Sequence, residues 1–135
     1  MPKRTYRDSN KRFSKRLLFT CAVVIFALAI LAAKYVEKHT FSSERWKENE
    51  DVRKYMITDL LKKHPLVGMS EDEVLSLLGP QAEKGSQQAT FKGDRTYYPP
   101  ESTLVYYIGQ DLLEGRWLVL PIKDGTVEKV VFGWT

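Results

Sequence analysis

An uncharged run at residues 17–33 is the sequence feature that most constrains how this 135-residue chain can fold. Ten of its seventeen residues are Leu, Ile, Val or Phe, and each of these favours insertion into a bilayer by about 0.3–0.6 kcal/mol. With Lys34, Tyr35 and Val36 added, a helix of this length spans about 30 Å, near the thickness of the hydrocarbon core. The sequence therefore predicts a transmembrane helix over residues 17–36.

Positive charge is concentrated immediately before this run. Residues 1–16 carry seven Lys or Arg and one acid, so they contribute +6 to a net charge of +4, and the rest of the chain carries −2. Because basic flanks stay in the cytoplasm, we expect residues 1–16 to be a cytoplasmic tail and everything after residue 36 to be extracytoplasmic. Such a tail sets topology beside anionic lipid, and no basic patch for nucleic acid follows it.

A cleaved signal peptide is the alternative to an uncleaved anchor, because Ala27, Leu28 and Ala29 have the small-x-small form of a processing site. The long basic leader, and the apolar residues that continue to Ala33, favour the anchor. Cys21 lies within the apolar run and is the only cysteine, so the chain cannot form an intrachain disulfide. We expect a single-pass protein of the cell membrane.

The residues after the predicted span are sufficient for one small domain. Residues 37–43 form a short polar linker, and residues 44–135 supply about ninety residues, enough for one thin core and too few for two. Ser42 or Ser43 can cap a helix over residues 43–63. Three apolar residues at i, i+4 and i+8 form its stripe: Val52, Met56 and Leu60.

A second, shorter helix is bounded by start and stop signals. Pro65 ends the first helix, and the second begins at Ser70, where Glu73 three residues later completes a capping box. Gly79 permits a turn past its end, and Pro80 prevents its continuation. One face is expected to be buried: Val74, Leu77 and Leu78. The two helices are predicted to form a hairpin.

The C-terminal third has the composition of β-strands. Residues 103–108, 117–122 and 127–134 are rich in β-branched and aromatic side chains. Asp124 and Gly125 predict a hairpin with either a two-residue or a three-residue loop. We therefore predict an α+β fold: the transmembrane helix, then an ααβββ domain in which the helical hairpin packs on an antiparallel three-stranded sheet. Between helices and strands, residues 81–100 are polar, and only Ala89-Thr90-Phe91 indicate a strand, so we expect a mobile arm or a loop with one short strand.

Residues 66–80, which read LVGMSEDEVLSLLGP, couple a turn, a helix cap, a helix face and a stop. Together with Arg53-x-x-Met56 before them, and tyrosine-rich and Asp-Gly strands after them, they resemble the BamE-like (small protein A) family. The resemblance covers about residues 44–135. It implies two helices on a three-stranded antiparallel sheet, related in shape to the repeated domains of β-lactamase-inhibitor protein, and a non-enzymatic envelope protein that works through protein contacts.

Because it has a predicted span and no lipobox cysteine, the chain looks more like the anchored BamE-like proteins of Gram-positive bacteria. Five residues find counterparts there: Trp46, Arg53, Met56, Asp59 and Leu60. The resemblance implies a membrane-anchored extracytoplasmic module of the bacterial cell envelope that binds another envelope protein. An inhibitor or regulator of an extracytoplasmic enzyme is the alternative, and an envelope enzyme is a third interpretation.

The sequence predicts no catalytic, metal or cofactor site. His39 and His64 are isolated and no cysteine lies outside the apolar run, so metal-ligand spacing is missing. The acids at residues 71–73 stand where a helix dipole and a capping box favour them. No glycine-rich phosphate loop precedes a helix, and no serine lies in a Gly-x-Ser-x-Gly turn. We therefore do not expect an enzyme.

Aromatic residues are better candidates for a binding site. In a strand over residues 117–122, Trp117 and Val119 share the face opposite Leu118. Two helices cover only one face, so Trp117 either packs beneath residues 81–100 or a helix edge, or belongs to an exposed patch for a protein partner. Residues 97–100 (Tyr-Tyr-Pro-Pro) either lead a loop into a strand or extend that patch. The candidate partner-binding residues are Trp117, Val119, Tyr97, Tyr98 and Trp134.

Overall fold

The computed structural model describes residues 5–81, 91–92 and 96–135, with side chains from Ser14 onward. In these residues the fold is α+β, with α-helices and a four-stranded antiparallel sheet. The chain divides into two units, Met1–Glu37 and Lys38–Thr135. Residues 1–4 of the predicted tail lie outside the described residues.

Helix α1 (Thr5–His39) contains the predicted span. Its Ser14–His39 part is long and apolar enough to cross a membrane. Thr20 carries the one hydroxyl of the run at residues 17–33, and its Oγ1 donates to the carbonyl of Arg16 at 2.6 Å. This bond within the helix satisfies the hydroxyl where the surroundings are apolar. The helix is therefore compatible with a membrane anchor or a signal sequence.

The predicted helix over residues 43–63 is interrupted. Helix α2 (Ser43–Glu48) ends at Asn49, a 3₁₀ turn follows at Glu50–Val52, and helix α3 (Arg53–Lys63) continues from it. Asn49 is extended, with φ −141° and ψ 110°, and its side chain accepts a hydrogen bond from the N–H of Asp51 at 2.9 Å. An asparagine amide competes in this way with the helical hydrogen bonds of the backbone, and the prediction of one unbroken helix was therefore wrong.

Helix α4 (Glu71–Leu78) has the predicted boundaries. The Ser70 hydroxyl accepts from the N–H of Glu73 at 3.2 Å, and the Glu73 carboxylate accepts from the N–H of Ser70 at 2.8 Å, which confirms the capping box. Gly79 follows with φ 77°, a value that glycine adopts without strain. These signals are local in the sequence, so they fix the helix without knowledge of its neighbours.

The sheet is formed by β1 (Thr103–Asp111), β2 (Glu114–Lys123), β3 (Thr126–Val127) and β4 (Val131–Trp134). Strand β2 pairs with β1 on one side and with both β3 and β4 on the other. The third predicted strand is therefore divided in two. The division lies opposite Pro121, which has no N–H to donate; its carbonyl instead accepts from the N–H of Glu128 at 2.9 Å.

The hairpin at Asp124 and Gly125 has the shorter of the two predicted loops. Lys123 pairs with Thr126, which leaves two residues in the turn, and their φ angles are 52° and 77°. Two positive φ angles are what a type I′ turn requires, and an Asp-Gly pair supplies them at little cost.

Both faces of the sheet are covered by apolar side chains. On the helical face, alternate strand residues join buried residues of α2, α3 and α4 in one cluster, which includes Trp46, Met56, Leu60, Val74, Leu78, Tyr106 and Leu118. On the opposite face a second cluster contains Phe91, Tyr98, Val105, Trp117 and Val119. Of the predicted strand at Ala89-Thr90-Phe91, the first two residues lie outside the described residues. Phe91 and Lys92 are described, and Lys92 bridges to Trp134 of β4.

Candidate functional site

Trp117 and Val119 do not form an exposed patch. They lie on the face opposite the main cluster, as predicted, but their exposed fractions are only 7% and 0%. The indole N–H of Trp117 donates to Thr135 Oγ1 at 3.0 Å, and the indole ring meets the Tyr107 ring edge to face at 5.1 Å. Packing and hydrogen bonding both hold Trp117 inside the domain, so of the two interpretations the exposed patch was wrong.

This face is covered by Phe91 and Tyr98, which lie within the predicted polar arm. Phe91 packs directly on Gly133, where any Cβ would overlap its ring. Tyr98 is buried beside Phe91, with ring centroids 6.4 Å apart. The N–H of Lys92 donates to the carbonyl of Trp134 at 2.8 Å and holds Phe91 and Lys92 against β4. The structure thus has Trp117 packed with Phe91 and Tyr98 of the predicted polar arm, the other of the two interpretations.

Tyr97 is the most exposed member of the predicted set. Its exposed fraction is 62%, and it stands at an open groove of about 260 Å³ beside the far end of β2. The groove is lined by aromatic, proline and lysine side chains, among them Tyr97, Tyr98, Pro99, Pro121 and Lys129. The ammonium of Lys129 lies 5.4 Å from the Tyr98 ring centroid. The groove combines apolar walls with a cation at its rim.

Thr103, a buried residue, also lines this groove. Thr103 is buried, and its Oγ1 has no hydrogen-bond partner within the described residues. A buried polar group without a partner costs free energy, and proteins keep few of them. A ligand group that displaced the atoms covering the Thr103 hydroxyl and hydrogen-bonded to it would recover this cost.

Trp134 lies elsewhere. It is partly exposed and pairs with Arg116 of β2, whereas the Tyr97 groove adjoins Pro121 at the other end of that strand. These two β2 positions are five residues apart along the strand, a distance of about 17 Å. The structure therefore does not unite the five predicted residues: three are buried together, and Tyr97 and Trp134 occupy separate surfaces.

The most exposed large apolar residues of the Lys38–Thr135 unit were not among the candidates. Leu112 and Leu113 form the two-residue loop between β1 and β2, with exposed fractions of 98% and 92%. The sequence signal for them is a Leu-Leu pair at a place where hairpin turns usually carry Asn, Asp or Gly. A search for strands passes over this pair, because leucine is not a turn residue.

A basic cluster surrounds Tyr55 near the start of the second unit. The Lys38 ammonium lies 3.6 Å from the centroid of the Tyr55 ring, and the Lys54 ammonium lies at 5.2 Å. The hydrogen bond from Lys38 and the positive charges of both lysines lower the pKa of Tyr55. The lysine stems and the aromatic ring thus join Lys38 to the first turn of α3.

The buried ionisable groups have structural partners. The Arg53 guanidinium donates to the carbonyl of Trp46 at 2.8 Å and to that of Tyr107 at 3.0 Å, and burial lowers its pKa. The Tyr106 hydroxyl donates to the carbonyl of Gly79 at 2.8 Å, and burial raises its pKa. Within the described ranges, no group of three or more His, Cys, Asp or Glu residues is placed to hold a metal ion.

Comparisons of the chain with protein-family models, with curated protein sequences and with solved structures find no match. Its function is therefore inferred from its own residues.

Proposed function

We propose that this protein is a membrane-anchored interaction module of the bacterial cell envelope, with a cytoplasmic N-terminus and the Lys38–Thr135 unit outside the cytoplasm. The apolar helix within Ser14–His39 and the basic residues before it support the anchor and its direction. The partner is another envelope protein, bound at the groove beside Tyr97.

The fold proposed for the outer unit is the BamE-like ααβββ arrangement. On this proposal α2 with α3, and α4, are the two arms of a helical hairpin, and β3 with β4 together take the place of one edge strand beside β2. The capping box and stop around α4, and the burial of Arg53 and Met56 against the sheet cluster, support this likeness.

The observation that carries the binding proposal is the groove itself. Exposed Tyr97 offers a large amphipathic side chain, the kind that anchors many protein interfaces. Beside it, the unpartnered hydroxyl of Thr103 offers a hydrogen bond that no described residue takes up. An extended segment of a partner, with an apolar side chain for the groove and a polar group for Thr103, fits both features.

Site-specific photo-crosslinking tests this proposal in native membranes. A photoreactive phenylalanine at position 97 of the full chain should capture one protein stoichiometrically, identified by mass spectrometry. The same group at Asp72, an exposed position on α4, is the control and should not capture it. Capture of the same proteins from both positions, or of lipid alone at position 97, would overturn the proposal.

The variant Thr103→Val distinguishes a loss of partner binding at the groove from a loss of folding. Valine has nearly the shape of threonine and removes only the hydroxyl that lacks a partner, so folding should be unchanged or slightly more stable. Capture from position 97 should fall, because the partner's polar group is then left without its hydrogen bond. If the captured protein is an enzyme whose activity falls on titration with this chain, the chain is a regulator of that enzyme.

A further inference from the structure

The loop between β1 and β2 breaks a local rule that the opposite hairpin obeys. Leu112 has φ 54°, a left-handed conformation that costs a leucine free energy. At the other end of β2, the two residues with positive φ angles are Asp124 and Gly125, residue types that adopt such angles at little cost. Leu112 and Leu113 are almost wholly exposed, so burial within the domain does not compensate the strain. Local conflicts of this kind mark functional positions.

The leucine loop, Leu112 and Leu113, lies at the same end of the second unit as Lys38, the first residue of that unit. Phe41 contacts α3 at Asp59 and meets the ring of His64, whereas Lys38 lies over Tyr55, in the first turn of α3. Phe41 therefore contacts the C-terminal part of α3, whereas Lys38, three residues earlier in the chain, contacts its N-terminal end.

That end of α3 adjoins the part of β1 next to the loop. Arg53 donates to the carbonyl of Tyr107, and the side chain of Lys54 packs on Gly109. Leu112 is three residues beyond Gly109, about 10 Å along the strand. Thr103, at the other end of β1, is about 20 Å away from Gly109 in the opposite direction. Of the two ends of this hairpin, the leucine loop is the nearer to Lys38.

The charges that flank the loop are neutralised within the domain. Asp111 pairs with Arg116 at 3.2 Å, and Glu114 pairs with Lys92 at 3.2 Å. An apolar tip with paired flanking charges can approach a lipid surface without net repulsion from anionic headgroups.

From these contacts we infer that Leu112 and Leu113 insert into the outer leaflet of the bilayer that holds α1 and dock the domain on its own membrane. The inference rests on the anchor in the proposed function, and it is independent of the protein partner. The candidate span ends at His39 and α2 begins at Ser43, so the bilayer is always within reach of the domain. A short tether gives the loop a high effective concentration at the bilayer, so insertion of only two leucines is enough to dock the domain. Insertion of leucine depends on the acyl chains, and it should therefore not depend on headgroup charge.

Quenching by brominated acyl chains tests the inference on the full chain in phosphatidylcholine vesicles. In a Cys21→Ala background, a fluorescent probe is attached to Gln110→Cys, an exposed position next to the loop, or to Lys123→Cys, at the far end of β2. The probe at position 110 should be quenched and the probe at position 123 should not. Replacing the loop by Leu112→Gly with Leu113→Asn should reduce quenching at position 110 to that at position 123. Each leucine withdrawn from the bilayer lowers the docking equilibrium constant about tenfold or more.

Other outcomes identify other occupants and overturn the inference. Quenching that falls as the protein-to-lipid ratio rises means a second copy covers the loop. A probe at position 110 that is exposed in pure lipid but protected in native membranes means a protein covers it. A dependence on added phosphatidylglycerol means the lysines near Tyr55, and not the leucines, hold the surface. Failure of the chain to float with the vesicles is a separate result, because it removes the anchor and with it the proposed function.

Discussion

The Asp59 carboxylate of α3 accepts a hydrogen bond from the backbone N–H of Phe41 at 2.6 Å. The Lys63 ammonium lies 2.7 Å from the same oxygen. The hydrogen bond from Lys63, followed by the one from Phe41, lowers the pKa of Asp59. One carboxylate therefore fixes the chain that leads from α1 into the domain.

The first prediction is that Asp59→Asn weakens the domain at neutral pH and flattens its response to acid. An aspartate in an unfolded chain ionises near pH 3.9. Because the pKa of Asp59 is lower in the folded state, its stabilisation is present above that pH and is lost as the pH falls through the folded pKa. Chemical denaturation at pH 7 and pH 3 should show a smaller loss for Asp59→Asn than for the wild type. Glu101→Gln, a change at an exposed acid, is the control and should keep the wild-type loss.

The second prediction concerns the contact that buries the second sheet face. In Gly133→Ala, the new methyl group would overlap the Phe91 ring, and we expect a loss of about 1–3 kcal/mol in the free energy of unfolding. Phe91→Ala in the same background removes the overlap, so the two changes should be strongly non-additive in a double-mutant cycle. Strictly additive losses would mean that Phe91 does not cover Gly133 in solution.

This contact explains why the sequence predicts one sheet face better than the other. The alternation at Leu118 and its neighbours places a face against the helices, and the helices carry their own apolar stripes, so local patterns predict the main cluster. The cover over Trp117 depends instead on Phe91 meeting a glycine more than forty residues later in the chain. No local pattern records that meeting, and residues 81–100 consequently read as a polar arm.

The helix boundaries likewise include some that local signals predict and some that they do not. Ser70, Glu73 and Gly79 fix α4 because a cap and a stop act over three or four residues. Asn49 interrupts the helix predicted over residues 43–63, and the apolar stripe of that helix, which begins at Val52, gives no sign of the break. The leucine loop is harder still to predict, because hairpin turns are recognised by Asn, Asp or Gly and this turn has none of them. The site residues that the sequence missed thus lie where local rules are broken.

A third prediction is that residues 38–135 fold without membrane or metal, because the buried clusters lie within this unit. In this fragment, Leu78→Ala should cost about 2–5 kcal/mol, since the side chain is fully buried. Ser70→Ala should cost about 1 kcal/mol through the loss of the cap. Urea denaturation followed by tryptophan fluorescence measures both. A molten fragment, or equal small costs for the two variants, would contradict the prediction.

The last prediction is that Leu112 lowers the free energy of unfolding of the domain in water. In the fragment over residues 38–135, Leu112→Gly relieves the positive φ and removes no buried contact, so the free energy of unfolding should rise by about 1 kcal/mol. Gly125→Ala, at the positive φ of the other hairpin, should lower it by a similar amount and serves as the control. A loss of stability in Leu112→Gly would show that the leucine is buried against the domain in solution. If instead the variant is more stable as a fragment, yet less firmly docked as the full chain in vesicles, the strain at Leu112 is retained because the bilayer compensates it.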